Sequence, residues 1–210
     1  MQLTHLRLSS GAHKSPKDGA CIMELIGHVM GCGWTDHPEC TSPALAAFCR
    51  TFNDGLDDEN RQRLLPYLHR IAGAKGTHEQ EMKVAYISAD YCVRVLCPTV
   101  FELYDKDCIH AKTLRALPQI VDQESLAVAA DAAWAAWAAR AAWAAEAAVA
   151  ADAADAAWAA EAAVAKSRMI DLQFECLDAM LAVFEIEPDA EEAILCMLAE
   201  SKVPDGLVLA

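Results

Sequence analysis

The run DAAWAAWAARAAWAAEAAVAADAADAAWAAEAAVA, residues 131–165, has a residue other than alanine at every third position and alanine at the two between. Twelve such positions, Asp131 to Val164, pass without a slip in phase. Alanine has the highest helix propensity of any residue, so the tract is expected to be helical. In an α-helix each residue turns about 100°, and a step of three falls about 60° short of a circle. The Asp, Trp, Arg, Glu and Val positions then spiral round every face, and no face is purely apolar. In a 3₁₀-helix three residues make a turn, and the same positions align in one straight ridge beside two alanine faces. On such a ridge Trp137, Arg140 and Trp143 are spaced for cation–π contact. Propensity favours the α form; the match of pattern to period makes extended 3₁₀ the alternative. Expansion of a nine-base coding unit would also keep the triplet phase, with no structural demand behind it. In either form the small side chains let neighbouring helices approach closely.

Outside the tract the chain has conventional helical signals. ACIMELIGHVMG places Ile22, Leu25, Ile26 and Val29 on one side and is stopped by Gly31 and Gly33. SPALAAFCRTFNDG has Ser42 as a cap, Pro43 at the first helical position and Gly55 at its close. DDENRQRLLPYLHRIAG reads as a helix bent or restarted at Pro66. EQEMKVAYISADYCVRVLCP reads as another, ending before Pro98, and TVFELYDKDCIHAKTLRALPQI as a short helix and a turn. After the tract, Ile170, Phe174, Leu177, Leu181 and Phe184 form an amphipathic seam, and DAEEAILCMLAES opens a last short helix. Residues 1–19 and GCGWTDHPECTSP are loops. No alternating run with a hairpin turn occurs, so the expected fold is all-α. Its expected parts are an N-terminal multi-helix domain (1–118), the alanine-rich tract (119–165) and C-terminal amphipathic helices (166–210).

Composition bounds the function. Thirty-one acidic against 17 basic residues give a formal charge of -14. A general nucleic-acid binder needs Lys and Arg to neutralise phosphate, so direct nucleic-acid binding is not expected. The opening MQLTHLRLSSGAHKSPKDG has no apolar core or cleavage site, so no export signal is expected. The tract is weakly hydrophobic and charged every few residues, which argues against a membrane span. Nine cysteines at irregular spacing fit reduced thiols. The expected location is the cytoplasm.

Chemistry-bearing residues concentrate in the N-terminal third. Asp18-Gly19 would put Cys21 near a helix N-terminus, where the dipole lowers a thiol pKa. Cys21 is therefore the candidate nucleophile. His28 lies about 10 Å further along the axis and cannot be its base; His13 or His37 would serve, with Asp36 orienting it. The competing reading is a small core cysteine. Cys21, His28, Cys32, His37 and Cys40 are weak candidates for a metal site, because their spacing matches no standard zinc motif and lacks a CxxC pair. Cys92 and Cys97, five apart on an apolar helix, read as core cysteines, as does Cys108. GAKGT at 73–77 lacks the spacing and preceding strand of a phosphate loop. No cofactor is called for.

Gly11-Ala12-His13, Cys21, Met23-Glu24, Asp36, Pro38, Cys40 and Pro43, followed by an alanine tract studded with Trp, Arg, Asp and Glu, resemble a group of proteins encoded by bacteriophages, prophages and environmental viral sequences. The likeness is detailed over the first 55 residues and one of layout beyond them. It implies a viral or mobile-element origin and no particular activity. A fainter resemblance is to papain-like cysteine domains, in which a helix opens at the cysteine and a glycine follows about ten residues later, as Cys21 and Gly31 do. Those domains need strands that this sequence lacks. The expected function is a non-enzymatic helical binding or scaffold protein whose tract packs against itself, a second copy or a host protein. The alternatives are a Cys21-dependent acyl-transfer or hydrolase activity and an acidic decoy of a host defence protein.

Overall fold

In the computed structural model, which describes residues 6–147, 155–184 and Cys196, the chain is all-α. No strand occurs among the described residues. Two compact units are present: Met1–Ala85 with Asp178–Ala210, and Tyr86–Leu177.

The first unit is organised by short capped helices. α1 (Ile22–Val29) begins at Cys21, and α2 (Pro43–Gly55) begins at Ser42, whose hydroxyl accepts the Leu45 N–H at 3.2 Å. Proline at the first position of α2 costs nothing, because the N–H it lacks has no intrahelical partner there. The far end of α2 is closed by a buried cation: Arg61 donates to the carbonyls of Asn53 (2.9 Å) and Leu56. A guanidinium suits this place, since the last carbonyls of a helix are unpaired and carry partial negative charge. Arg61 ends α3 (Asp58–Arg61); a 3₁₀ stretch, Gln62–Tyr67, then holds Pro66, and α4 (Leu68–Gly73) restarts beyond it. The expected break at Pro66 is therefore a passage through 3₁₀ geometry. Ile22, Ile26, Leu45, Phe52, Leu64, Leu68 and Ile71 are buried with at most 2% exposure.

The second unit is built on a helix that does not stop where expected. α5 (His78–Asp90) runs into a π-helical segment, Tyr91–Leu96, and on into α6 (Cys97–Tyr104). Pro98 was expected to end the helix, because proline removes an N–H and clashes with the preceding turn. The widened turn alters that geometry and leaves Pro98 in the first turn of α6, where the missing donor is tolerated. The stretch His78–Leu103 is long and apolar enough to cross a membrane by length and composition. Its middle carries Asp90, which pairs with Arg94 at 3.0 Å and accepts the Ile120 N–H at 2.9 Å. Those bonds tie it to protein.

α7 (Ile109–Arg115) and α8 (Gln123–Ala147) complete the layer around Phe101, Ala111, Leu114 and Ala136. α8 covers the first half of the triplet tract and is α-helical. α9 (Asp155–Leu181) is α-helical from within the tract through the amphipathic segment. The straight 3₁₀ ridge is thus not formed over these residues, because alanine's α preference prevails over the match of period. Residues 148–154 and the final short helix expected at 189–201, apart from Cys196, lie outside the described residues. The expected seam is present: Ile170, Phe174, Leu177, Leu181 and Phe184 are all buried.

In an α-helix the buried stripe of α8 must come from alanine. Leu126, Ala129, Ala133 and Ala136, spaced three, four and three, are partly or fully buried. Val128, Asp131 and Trp134 precess through the exposed side. Trp137 then reaches the edge of the stripe and meets the Phe101 ring edge-on at 5.2 Å.

Candidate functional site

Two of the N-terminal candidates, His13 and Cys21, meet at Glu24. Glu24 is 1% exposed and accepts three hydrogen bonds. Its Oε1 takes the His13 backbone N–H at 2.5 Å, and its Oε2 pairs with His13 Nδ1 and takes the Cys21 backbone N–H, both at 2.8 Å. The Glu24 N–H in turn points at the Cys21 sulfur at 3.4 Å. This is a capping box with cysteine in the place of serine. The pattern Cys-x-x-Glu ahead of an apolar run carried that signal.

The loop before α1 is fastened at several further points. The His13 carbonyl accepts Trp34 Nε1–H at 2.9 Å. Asn53 accepts from Ile22 N–H at 3.3 Å and donates to the Ser9 carbonyl at 2.9 Å, while Asp54 accepts the Gly11 N–H at 2.7 Å. Gly19, at φ +123°, lies so close to the His13 ring that a Cβ there would sit 2.8 Å from Nε2.

Cys21 is at a helix N-terminus, as expected, yet its thiol is not acidified. Burial pushes it up to about 12, and the Glu24 charge adds to that. The N-terminal dipole offers less than desolvation takes away. Neither histidine reaches it. His13 is bound to Glu24, and His37 pairs with Asp36 at 2.7 Å on an exposed loop. Of the four proposed catalytic residues, His37 and Asp36 pair with each other, His13 pairs instead with Glu24, and Cys21 stands apart from His37 and Asp36.

The metal candidates are likewise dispersed. Cys21 opens α1, and His28 near its end faces the Trp34 ring edge-on at 6.1 Å. Cys32 and Cys40 lie close: burial, and after it the neighbouring Cys32 thiol, raise Cys40 to about 11. No group of three or more His, Cys, Asp and Glu side chains among the described residues converges as a metal would need.

Beside the Asp36–His37 pair opens a cleft of about 440 Å³, lined by His37, Pro43, Ala46, Arg50 and Lys75 among others. Arg50 is held by the Asp36 carbonyl at 3.0 Å and Lys75 by the Glu39 carbonyl at 2.6 Å. The lining also holds Glu39, and Asp36 lies beside it, so the cleft mixes two cations with carboxylates. None of the residues named in its lining is a cysteine or serine.

Cys92 is exposed and not a core cysteine, while Cys97 is partly buried. The hydrophobic run around them concealed the difference, because only the π turn sets which side of the helix faces water. No protein-family profile, curated protein or solved structure matches the chain.

Proposed function

We propose that the protein is a non-enzymatic helical binding or scaffold module that associates with a second copy of itself through the alanine-rich tract. The resemblance of residues 1–55 supports a phage or mobile-element origin, with action in the host cytoplasm. The observation that carries the reading is Trp134, which stands 78% exposed on α8. An indole buries about 150–250 Å² when covered, about 4–6 kcal/mol of transfer free energy before the entropy of association is deducted. Ala130, Ala135 and Ala138 around it are exposed as well and leave a low surface that another helix can approach closely. A second copy offers the same indole and the same alanine faces, as a two-fold interface requires. The sealed, protonated Cys21 favours binding over catalysis.

Sedimentation equilibrium on the full chain tests this. The wild type is expected to associate reversibly, and Trp134→Ser to shift the equilibrium towards monomer by at least tenfold in Kd. A wild-type chain that remains monomeric at every concentration overturns the reading.

A further inference from the structure

We propose that Cys92 and Cys97 form a reversible dithiol–disulfide pair, with exposed Cys92 as the attacking sulfur, Cys97 as the resolving thiol and hydrogen peroxide as the class of oxidant. The pair exists because of the backbone. Residues five apart on an α-helix point about 140° away from each other. In the Tyr91–Leu96 π segment the Cys97 N–H instead bonds the Cys92 carbonyl. That i to i+5 bond stacks Cys97 one turn above Cys92, near enough for each thiol to shift the ionisation of the other. Turns of this kind inside α-helices are rare and occur often at functional sites.

The surroundings divide the two roles. Cys92 faces solvent, where a small oxidant can reach it. Cys97 is partly buried and packed against the Phe101 cluster. The Cys97 thiol lowers Cys92 to about 7, while the same contact and burial raise Cys97. Asp90, Arg94 and Cys176 are the other ionisable groups nearby; Asp90 and Arg94 are paired at 3.0 Å, and burial raises Cys176 to about 12. Cys92 is thus the thiol of this group held lowest, and it is also the exposed one, as an attacking sulfur must be.

The chemistry balances with peroxide alone. The Cys92 thiolate attacks one peroxide oxygen; the O–O bond breaks, an S–O bond forms, and the departing hydroxide takes a proton to become water. The product is a Cys92 sulfenic acid. The Cys97 sulfur then attacks the Cys92 sulfur, the S–O bond breaks, and the leaving hydroxide takes the Cys97 proton as a second water. Two thiols are oxidised by two electrons to one disulfide, and one peroxide is reduced to two waters. Reduction by an external thiol through a mixed disulfide reverses the bond.

The test treats the intact, reduced chain with hydrogen peroxide at neutral pH, alkylates the remaining thiols and maps the cross-link by peptide mass spectrometry. The expected product is a Cys92–Cys97 disulfide that a small dithiol removes. Cys97→Ser is expected to trap the sulfenic acid on Cys92 as a dimedone adduct, formed roughly tenfold faster than on thiols of the urea-unfolded chain. Cys92→Ser should abolish both products, with circular dichroism establishing that each variant is folded. Cross-linking of Cys92 to Cys176, oxidation confined to Cys32 and Cys40, or a Cys92 no faster than an unfolded thiol each overturns the proposal.

Discussion

Glu24 is a sealed carboxylate whose three acceptor bonds all go to the loop and helix start it joins. Glu24→Gln keeps the shape but turns one oxygen into an amine that faces a backbone N–H. The expected cost is about 1–3 kcal/mol, read as a lower urea midpoint with unchanged slope. Gly19→Ala should be comparably harmful, since the new methyl meets the His13 ring and the backbone stands at a φ that favours glycine. Burial raises the thiols of Cys21 and Cys176 from an ordinary 9.0 to about 12. A folded value above the unfolded one means this contribution is complete below about pH 9 and is lost as pH climbs from 9 towards 12. Urea midpoints measured from pH 8 to 11 should therefore fall, and fall less steeply in Cys21→Ala. Equal slopes would show that Cys21 is not sealed in solution.

At the scale of the element, α8 shows how a triplet pattern lives in an α-helix. The large residues precess by about 60° per step, so the buried stripe is left to alanine. Ala136, 3% exposed against Phe101, Ala111 and Leu114, has no room for a longer side chain. Ala136→Leu is expected to destabilise by about 1–3 kcal/mol, whereas Ala135→Leu, one position round on the exposed side, should change stability by less than about 0.5 kcal/mol. Equal effects in thermal unfolding would mean that the stripe is not the packed face. The start of α1, the caps of α2 and the passage at Pro66 were all legible, because each depends on residues within one turn. The continuation through Pro98 was not. It rests on a π turn that no local propensity announces.

For the whole molecule, charge and self-association pull against each other. A chain of formal charge -14 repels its own copies, and salt shortens the range of that repulsion from about 10 Å at 0.1 M to about 3 Å at 1 M. If the interface is the indole and alanine face of α8, association should strengthen severalfold from roughly 0.05 to 0.5 M sodium chloride. An interface made of ion pairs, such as one centred on Arg50 and Lys75 at the cleft, would weaken instead. Light scattering across that salt series decides between them.

By itself the sequence determined the class of the fold, most of the helices and the caps of α2, because propensity, periodicity and capping act over three or four residues. It also determined that the seam from Ile170 to Phe184 is buried, since an amphipathic stripe has only one side to hide. Tertiary structure decided the rest. It enclosed Glu24 within the loop from Ser9 to Gly19 and sealed the Cys21 thiol that a helix N-terminus alone would make reactive. It also turned Cys92 outward by a single widened turn. Whether a group meets water or another group is set by chain segments distant in sequence, and desolvation outweighs the local field of a helix end.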